Sequence, residues 1–221
     1  MGRAWAAAEV SLPSPAAATV AASGAQSLAA GAARSSGGPE GLSPVVAWNE
    51  VLTVGSWRIP VALWSPSEQS ATGEAGGGAA QLQGEAEVYP HFISVGKIVR
   101  VLTGLPLPSA LGWAFRLRGL AAAGSPSALA RGRPAVVLAH GALGSRFDML
   151  HLAEYLAARG LLVASPELPW ALSAEGEGSG PPPGGPAIVE AVIKWLRGEF
   201  RTARFGLVGH SMGAGTVARR A

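Results

Sequence analysis

The sequence predicts an α/β fold: a mostly parallel sheet with crossover helices. Two observations carry that reading. Short, mainly apolar runs at 135–139, 161–165 and 204–208 have the length and the lack of alternation of strands buried on both faces. Between them lie two segments with helical apolar spacing, so the order is strand, helix, strand, helix, strand. Such an order closes only as parallel strands joined by crossover helices. A chain of 221 residues is long enough for one domain with an appended tail.

The elements follow in chain order. Residues 1–44 are Ala, Ser, Gly and Pro with almost no large aliphatics. They cannot bury enough apolar area to offset the entropy of ordering, so this stretch reads as a disordered tail. Glu9 is its only acid before Glu40, which is also compatible with an organelle (plastid or other) transit peptide; without one, the chain reads as cytoplasmic. The partial domain then runs over 45–221. Val51–Val54 and Trp57–Trp64 read as strands, with Gly55 and Ser56 as the hairpin turn between them. The Gly- and Ala-rich stretch 65–88 reads as a flexible loop. Ile93, Lys97, Ile98, Val101 and Leu102 predict a helix over 91–103, and a second short helix is expected within 109–123. Past the run at 135–139, Met149, Leu152, Ala153 and Leu156 share one face of a helix that Gly160 stops. After the run at 161–165 and a Pro/Gly loop, Pro186 opens a helix whose face carries Val189, Val192, Ile193, Leu196 and Phe200.

Composition excludes several classes. There are 17 basic against 14 acidic side chains, and no run of like charge exceeds two residues, which argues against a nucleic-acid partner. With no Cys there is no disulfide framework, thiolate metal site or Cys nucleophile. No His/Asp/Glu cluster has metal-ligand spacing, and the only Asp is Asp148. No stretch of 18 apolar residues is free of charge and Pro, so no membrane-spanning helix is expected.

The third apolar run leads straight into Gly209-His210-Ser211-Met212-Gly213, a G-x-S-x-G between a strand and a helix. The chemistry needs a serine on a turn so tight that its backbone is strained. Glycines two before and two after, Gly209 and Gly213, let strand and helix pass close by. Ser211 is the candidate nucleophile. His140-Gly141-Ala142 follows the first parallel strand, where a second oxyanion donor belongs. The backbone N–H groups of Ala142 and Met212 would pair on the tetrahedral oxyanion, each worth roughly 3 kcal/mol. His140 reads as structural, orienting this loop. His210 neighbours the nucleophile and is not expected to act as its base. Gly215-Thr216 lacks the Lys of a phosphate loop. The G-x-G-x-x-A beginning at Gly213 starts too far beyond the strand for a dinucleotide site.

From Pro134 onward the chain resembles the α/β-hydrolases, in particular the lipase-like esterases. That group includes platelet-activating factor acetylhydrolase, chlorophyllase, dienelactone hydrolase and the cutinases. The residues that carry the likeness are 136–141, 152–160 and 209–213. The segment 58–66 is similar to the N-terminal hairpin of the acetylhydrolase-like branch. The resemblance implies a serine carboxylic-ester hydrolase that needs no cofactor and works through an acyl-serine. It implies a lipid or phospholipid-type acyl ester as substrate, of the 1-alkyl-2-acetylglycerophosphocholine kind. A chlorophyllase- or dienelactone hydrolase-like esterase is the alternative. The apolar stretch 98–115, with Trp113, reads either as a lipid-facing surface giving peripheral membrane contact or as an ordinary capping layer.

The sequence departs from the family order of Ser, then Asp or Glu, then His. Residues 212–221 contain no Asp, Glu or His, so the triad acid and base are absent from this chain. The later parallel strands are absent as well. The expectation is a fragment of a longer hydrolase, and otherwise a catalytically inert hydrolase-like binding protein.

Overall fold

The computed structural model describes residues 42–67, 86–105, 107–108, 111–126, 128–172 and 178–219. Nearly all of the expected tail, where a transit peptide was one of the readings, lies outside them, as does the middle of the 65–88 loop.

Seven strands form one sheet: β1 (Val45–Val54), β2 (Trp57–Pro66), β3 (Ala86–Ser94), β4 (Gly112–Ala123), β5 (Ala135–Ala139), β6 (Leu162–Pro166) and β7 (Phe205–Gly209). Their order is β3-β4-β1-β2-β6-β5-β7. β6, β5 and β7 run parallel, β2 is antiparallel to β1 and to β6, and β4 pairs parallel with β1. The fold is therefore α/β with a mixed sheet, in which five of the seven strands run the same way. Among the described residues, β7 is paired on one side only.

Helices cover both faces. α2 (Leu150–Ala158) links β5 to β6, α3 (Gly185–Glu199) links β6 to β7, and α4 (Met212–Ala218) follows β7. Alternate residues of β5 divide between the two cores, as the two-fold period of a strand requires. Val137 and Ala139 pack with Ile188, Val189, Val192 and Leu196 of α3. Val136 and Leu138 pack with Leu150, Ala153 and Leu156 of α2. All five β5 residues are buried, which is why the run reads as purely apolar.

Three expectations need correction. The segment 109–123 holds no helix in its described residues; from Gly112 it is strand β4, hydrogen-bonded along β3. Arg116 and Arg118 alternate there with Phe115 and Leu117, a two-residue period. The helix expected over 91–103 starts only at Val95, as α1 (Val95–Thr103), because 91–94 complete β3. Ser94 caps α1 by accepting from the Lys97 amide at 3.1 Å, and Gly104 ends it at φ 74°. The expected loop also loses its ends, since 65–66 belong to β2 and 86–88 to β3.

The β3–β4 hairpin is held to α2 by one buried carboxylate. Glu154 Oε1 accepts from the Leu120 amide at 2.7 Å, the Ala121 amide at 2.9 Å and the Tyr89 hydroxyl at 3.2 Å. The Tyr89 oxygen accepts in turn from the Trp64 indole at 2.9 Å. Gly119 makes the approach possible, because a Cβ there would sit 2.1 Å from that carboxylate oxygen.

Candidate active site

β7 ends at Gly209, and Ser211 turns the chain into α4 with φ 53° and ψ −119°. A non-glycine residue at that angle is strained by of order 1–3 kcal/mol and persists only where its surroundings enforce it. They do so here through close backbone passage. A Cβ on Gly209 would lie 2.4 Å from the Gly213 carbonyl oxygen, and one on Gly213 would lie 2.0 Å from that of Ala139. The His210 amide donates to Ala139 O at 2.9 Å, the Gly213 amide to His210 O at 2.8 Å and the Ala214 amide to Ser211 O at 2.9 Å. Ser211 itself is exposed. Among the described residues no side chain hydrogen-bonds its hydroxyl.

The His140–Gly144 loop lies against this turn. The position of a Cβ on Gly141 is 3.2 Å from Ser211 Cβ and 2.9 Å from His210 Nδ1. The His210 ring therefore rests on Gly141 and is not swung wholly away from the site. Ala142 follows directly and is exposed. Among the described residues, neither the Ala142 nor the Met212 amide donates a hydrogen bond, so both N–H groups are available to a ligand oxygen.

The segment 168–172 clamps that loop. Leu143, at φ 59°, donates its amide to Trp170 O at 3.1 Å. The Trp170 indole donates to His140 O at 3.3 Å, and the Leu172 amide donates to Gly144 O at 3.0 Å. His140 is fully buried; its Nδ1 donates to Gly141 O at 2.8 Å and its Nε2 accepts from the Leu168 amide at 2.9 Å. Both bonds require the neutral Nδ1–H tautomer. Glu167 Oε1 lies 3.5 Å from Nε2 and would favour a charged ring, but the Leu168 N–H already occupies the lone pair. Beside it, Arg146 and Glu167 form a buried ion pair at 2.7 Å.

Burial holds the His140 pKa below its ordinary value, opposed by the Gly141 carbonyl and the Asp148 charge. A lowered folded-state pKa means the stability present above the unfolded value near 6.5 is lost as pH falls. The thermal midpoint should therefore drop on acidification from pH 7 to pH 5. In His140→Asn, which is less stable at pH 7, part of that pH dependence should vanish. An unchanged slope in scanning calorimetry would contradict this role.

Sequence reasoning named Ser211, Gly209, Gly213, Ala142 and Met212, and the structure gathers the elbow and the loop at one place. It did not foresee the Trp170 clamp or the Arg146–Glu167 pair. The only signal was the stretch Pro166-Glu167-Leu168-Pro169-Trp170, in which two prolines stiffen the chain between a charge and an aromatic ring. A cleft of about 270 Å³ lined by Arg131, Glu199 and Phe200 lies at the opposite, amino end of the sheet.

No family model and no curated protein matches the chain. Solved structures with a similar course include a ferulic acid esterase from Streptomyces cinnamoneus, 23% identical with a TM-score of 0.41 over 84% of this chain and 58% of that one. The Pyrococcus furiosus esterase Pf2001 is 19% identical, with a TM-score of 0.35, over 61% of this chain and 46% of that one. Brefeldin A esterase, a bacterial homologue of human hormone-sensitive lipase, is 17% identical, with a TM-score of 0.41, over 97% of this chain and 48% of that one. The chain thus spans about half the length of these structures.

Proposed function

We propose that this chain carries the nucleophile and oxyanion part of a serine carboxylic-ester hydrolase. The observation that supports it best is the strained, exposed Ser211, with the unengaged amides of Met212 and Ala142 beside it. In the proposed reaction Ser211 Oγ attacks the ester carbonyl carbon, and the two amides take the negative charge on its oxygen. The new Oγ–carbon bond forms, the carbon–alkoxide bond breaks, and the Oγ proton leaves with the alcohol. Water then cleaves the acyl-serine to a carboxylic acid. No cofactor enters either step. Met212, next to Ser211 in the chain, and Leu143, two residues after Gly141, are 49% and 41% exposed. They favour an acyl ester of lipid or phospholipid type.

No described group accepts the hydroxyl proton, so acylation should be slow. Loss of the triad base typically removes about 10⁶ in kcat and leaves about 10³–10⁴ over water, from oxyanion stabilisation and binding. The same observation favours a second reading, a hydrolase-like binding protein that holds an ester without cleaving it. p-Nitrophenyl acetate separates the two. The esterase reading predicts weak hydrolysis above the buffer rate. Replacing Ser211 by Ala should remove only the covalent part and abolish the acetyl adduct in intact-mass spectra. Binding with no adduct in the parent protein would favour the second reading.

A further inference from the structure

The two candidate oxyanion donors sit on separate parts of the fold. Ala142 belongs to the loop after β5, and Met212 opens α4. They stabilise one oxygen only if their spacing is fixed before the substrate arrives. The close backbone passage at Gly213 joins the two parts once. A second junction lies at Gly185, the first residue of α3.

The Ala142 side is held by Trp170. Its indole donates to His140 O at 3.3 Å, two residues before Ala142, and its carbonyl accepts from the Leu143 amide at 3.1 Å, one residue after. The Met212 side is held by Thr216, whose hydroxyl donates to Met212 O at 3.2 Å. Trp170 and Thr216 meet at one point. A Cβ on Gly185 would lie 2.6 Å from Trp170 Cη2, 2.9 Å from Thr216 Oγ1 and 3.1 Å from Thr216 Cγ2. Gly185 is buried, and the next turn of α3 packs on the sheet through Ile188 and Val189.

We propose that Trp170, Gly185 and Thr216 are positioning residues that set the spacing between the Ala142 and Met212 amides. Each acts through a backbone group beside a donor, not on the reacting atoms. Their effect on rate rests on the esterase reading of Ser211; their effect on the loop does not. Because α3 is fixed on the sheet, the methyl of Gly185→Ala must displace the ring or the hydroxyl. The indole is rigid, so moving Cη2 aside carries Nε1 away from His140 O. A donor misplaced by about 1 Å can cost 10²-fold in rate.

The test measures how fast a fluorophosphonate labels Ser211 in the full chain, at a temperature where circular dichroism shows each variant folded. Gly185→Ala should lower the limiting labelling rate at least about tenfold and leave the half-saturating probe concentration within about twofold. Gly184→Ala, whose methyl meets only Pro186 Cδ at 3.8 Å, should label like the parent. A Trp170→Phe background is itself slowed, because no indole N–H holds His140 O. There Gly185→Ala should cost about threefold or less. An Ala before Pro186 has a backbone cost of its own, but it is the same in both backgrounds. Thr216→Val should slow labelling about fivefold, and Thr216→Ser, which keeps the hydroxyl, should recover most of that loss. Hydrogen exchange at the Leu143 amide should rise in Gly185→Ala, whatever the chemistry at Ser211. The proposal is overturned if Gly185→Ala labels at the parent's rate, if it costs as much in the Trp170→Phe background, or if Leu143 exchange is unchanged. Should Gly185→Ala not fold, equal rates for Thr216→Val and Thr216→Ser overturn it. A parent protein that is not labelled at Ser211 would sink the esterase reading instead, and Leu143 exchange would still decide the positioning role.

Discussion

Gly213→Ala should destabilise the protein by at least about 3 kcal/mol, the upper end for overpacking. The added methyl would meet Ala139 O at 2.0 Å, Ala139 C at 2.6 Å and His140 O at 2.6 Å. These are backbone atoms of β5 and the loop beyond it, so no side chain can swing aside. Relief requires moving α4 away from the sheet, which would also relax the φ of Ser211. Gly215, two residues on in the same helix, meets nothing within 4 Å. Gly215→Ala should therefore stabilise by roughly 0.5–1 kcal/mol, the ordinary helix gain of Ala over Gly. Urea unfolding of the two variants gives the contrast. Similar midpoints would mean that the close passage at Gly213 does not shape the elbow.

Glu154→Ala should cost about 3–5 kcal/mol. It leaves the Leu120 and Ala121 amides and the Tyr89 hydroxyl without their common acceptor, and the last two of these bonds are buried. Glu154→Gln keeps an acceptor and should recover most of that loss. The hairpin, rather than the central sheet, should loosen first. Hydrogen exchange would then rise at 89–94 and 113–121 before it rises at 135–139 and 162–166. If Ala and Gln variants lose the same stability, the carboxylate contributes packing and not hydrogen bonds.

The parts of the fold that could be read from the sequence are those where one local rule decides. The β5 and β6 runs are short and apolar because both faces are covered, whereas β7 is only partly buried, with Phe205 and Leu207 against one core and Val208 against the other. The glycines at 209 and 213 are dictated by backbone contact. The hairpin β3–β4 was harder. Its residues 112–123 show a two-residue period only over the short stretch 115–118, amid Gly and Ala, and its place is set by a carboxylate more than 30 residues downstream, on α2. The Trp170 clamp was likewise hidden, since its hydrogen bonds use backbone groups of a loop about 30 residues earlier. At the site, the serine and its glycines are local in sequence and were legible. The contacts that hold the oxyanion loop are long-range and were not.

The central claim, that the fold makes Ser211 reactive, is tested most directly by fluorophosphonate labelling followed by peptide mapping. The native protein should carry the adduct on Ser211, and it should form faster than in protein unfolded by urea, where the two amides are no longer gathered. Equal rates in the two states, or an adduct on a different serine, would contradict the account.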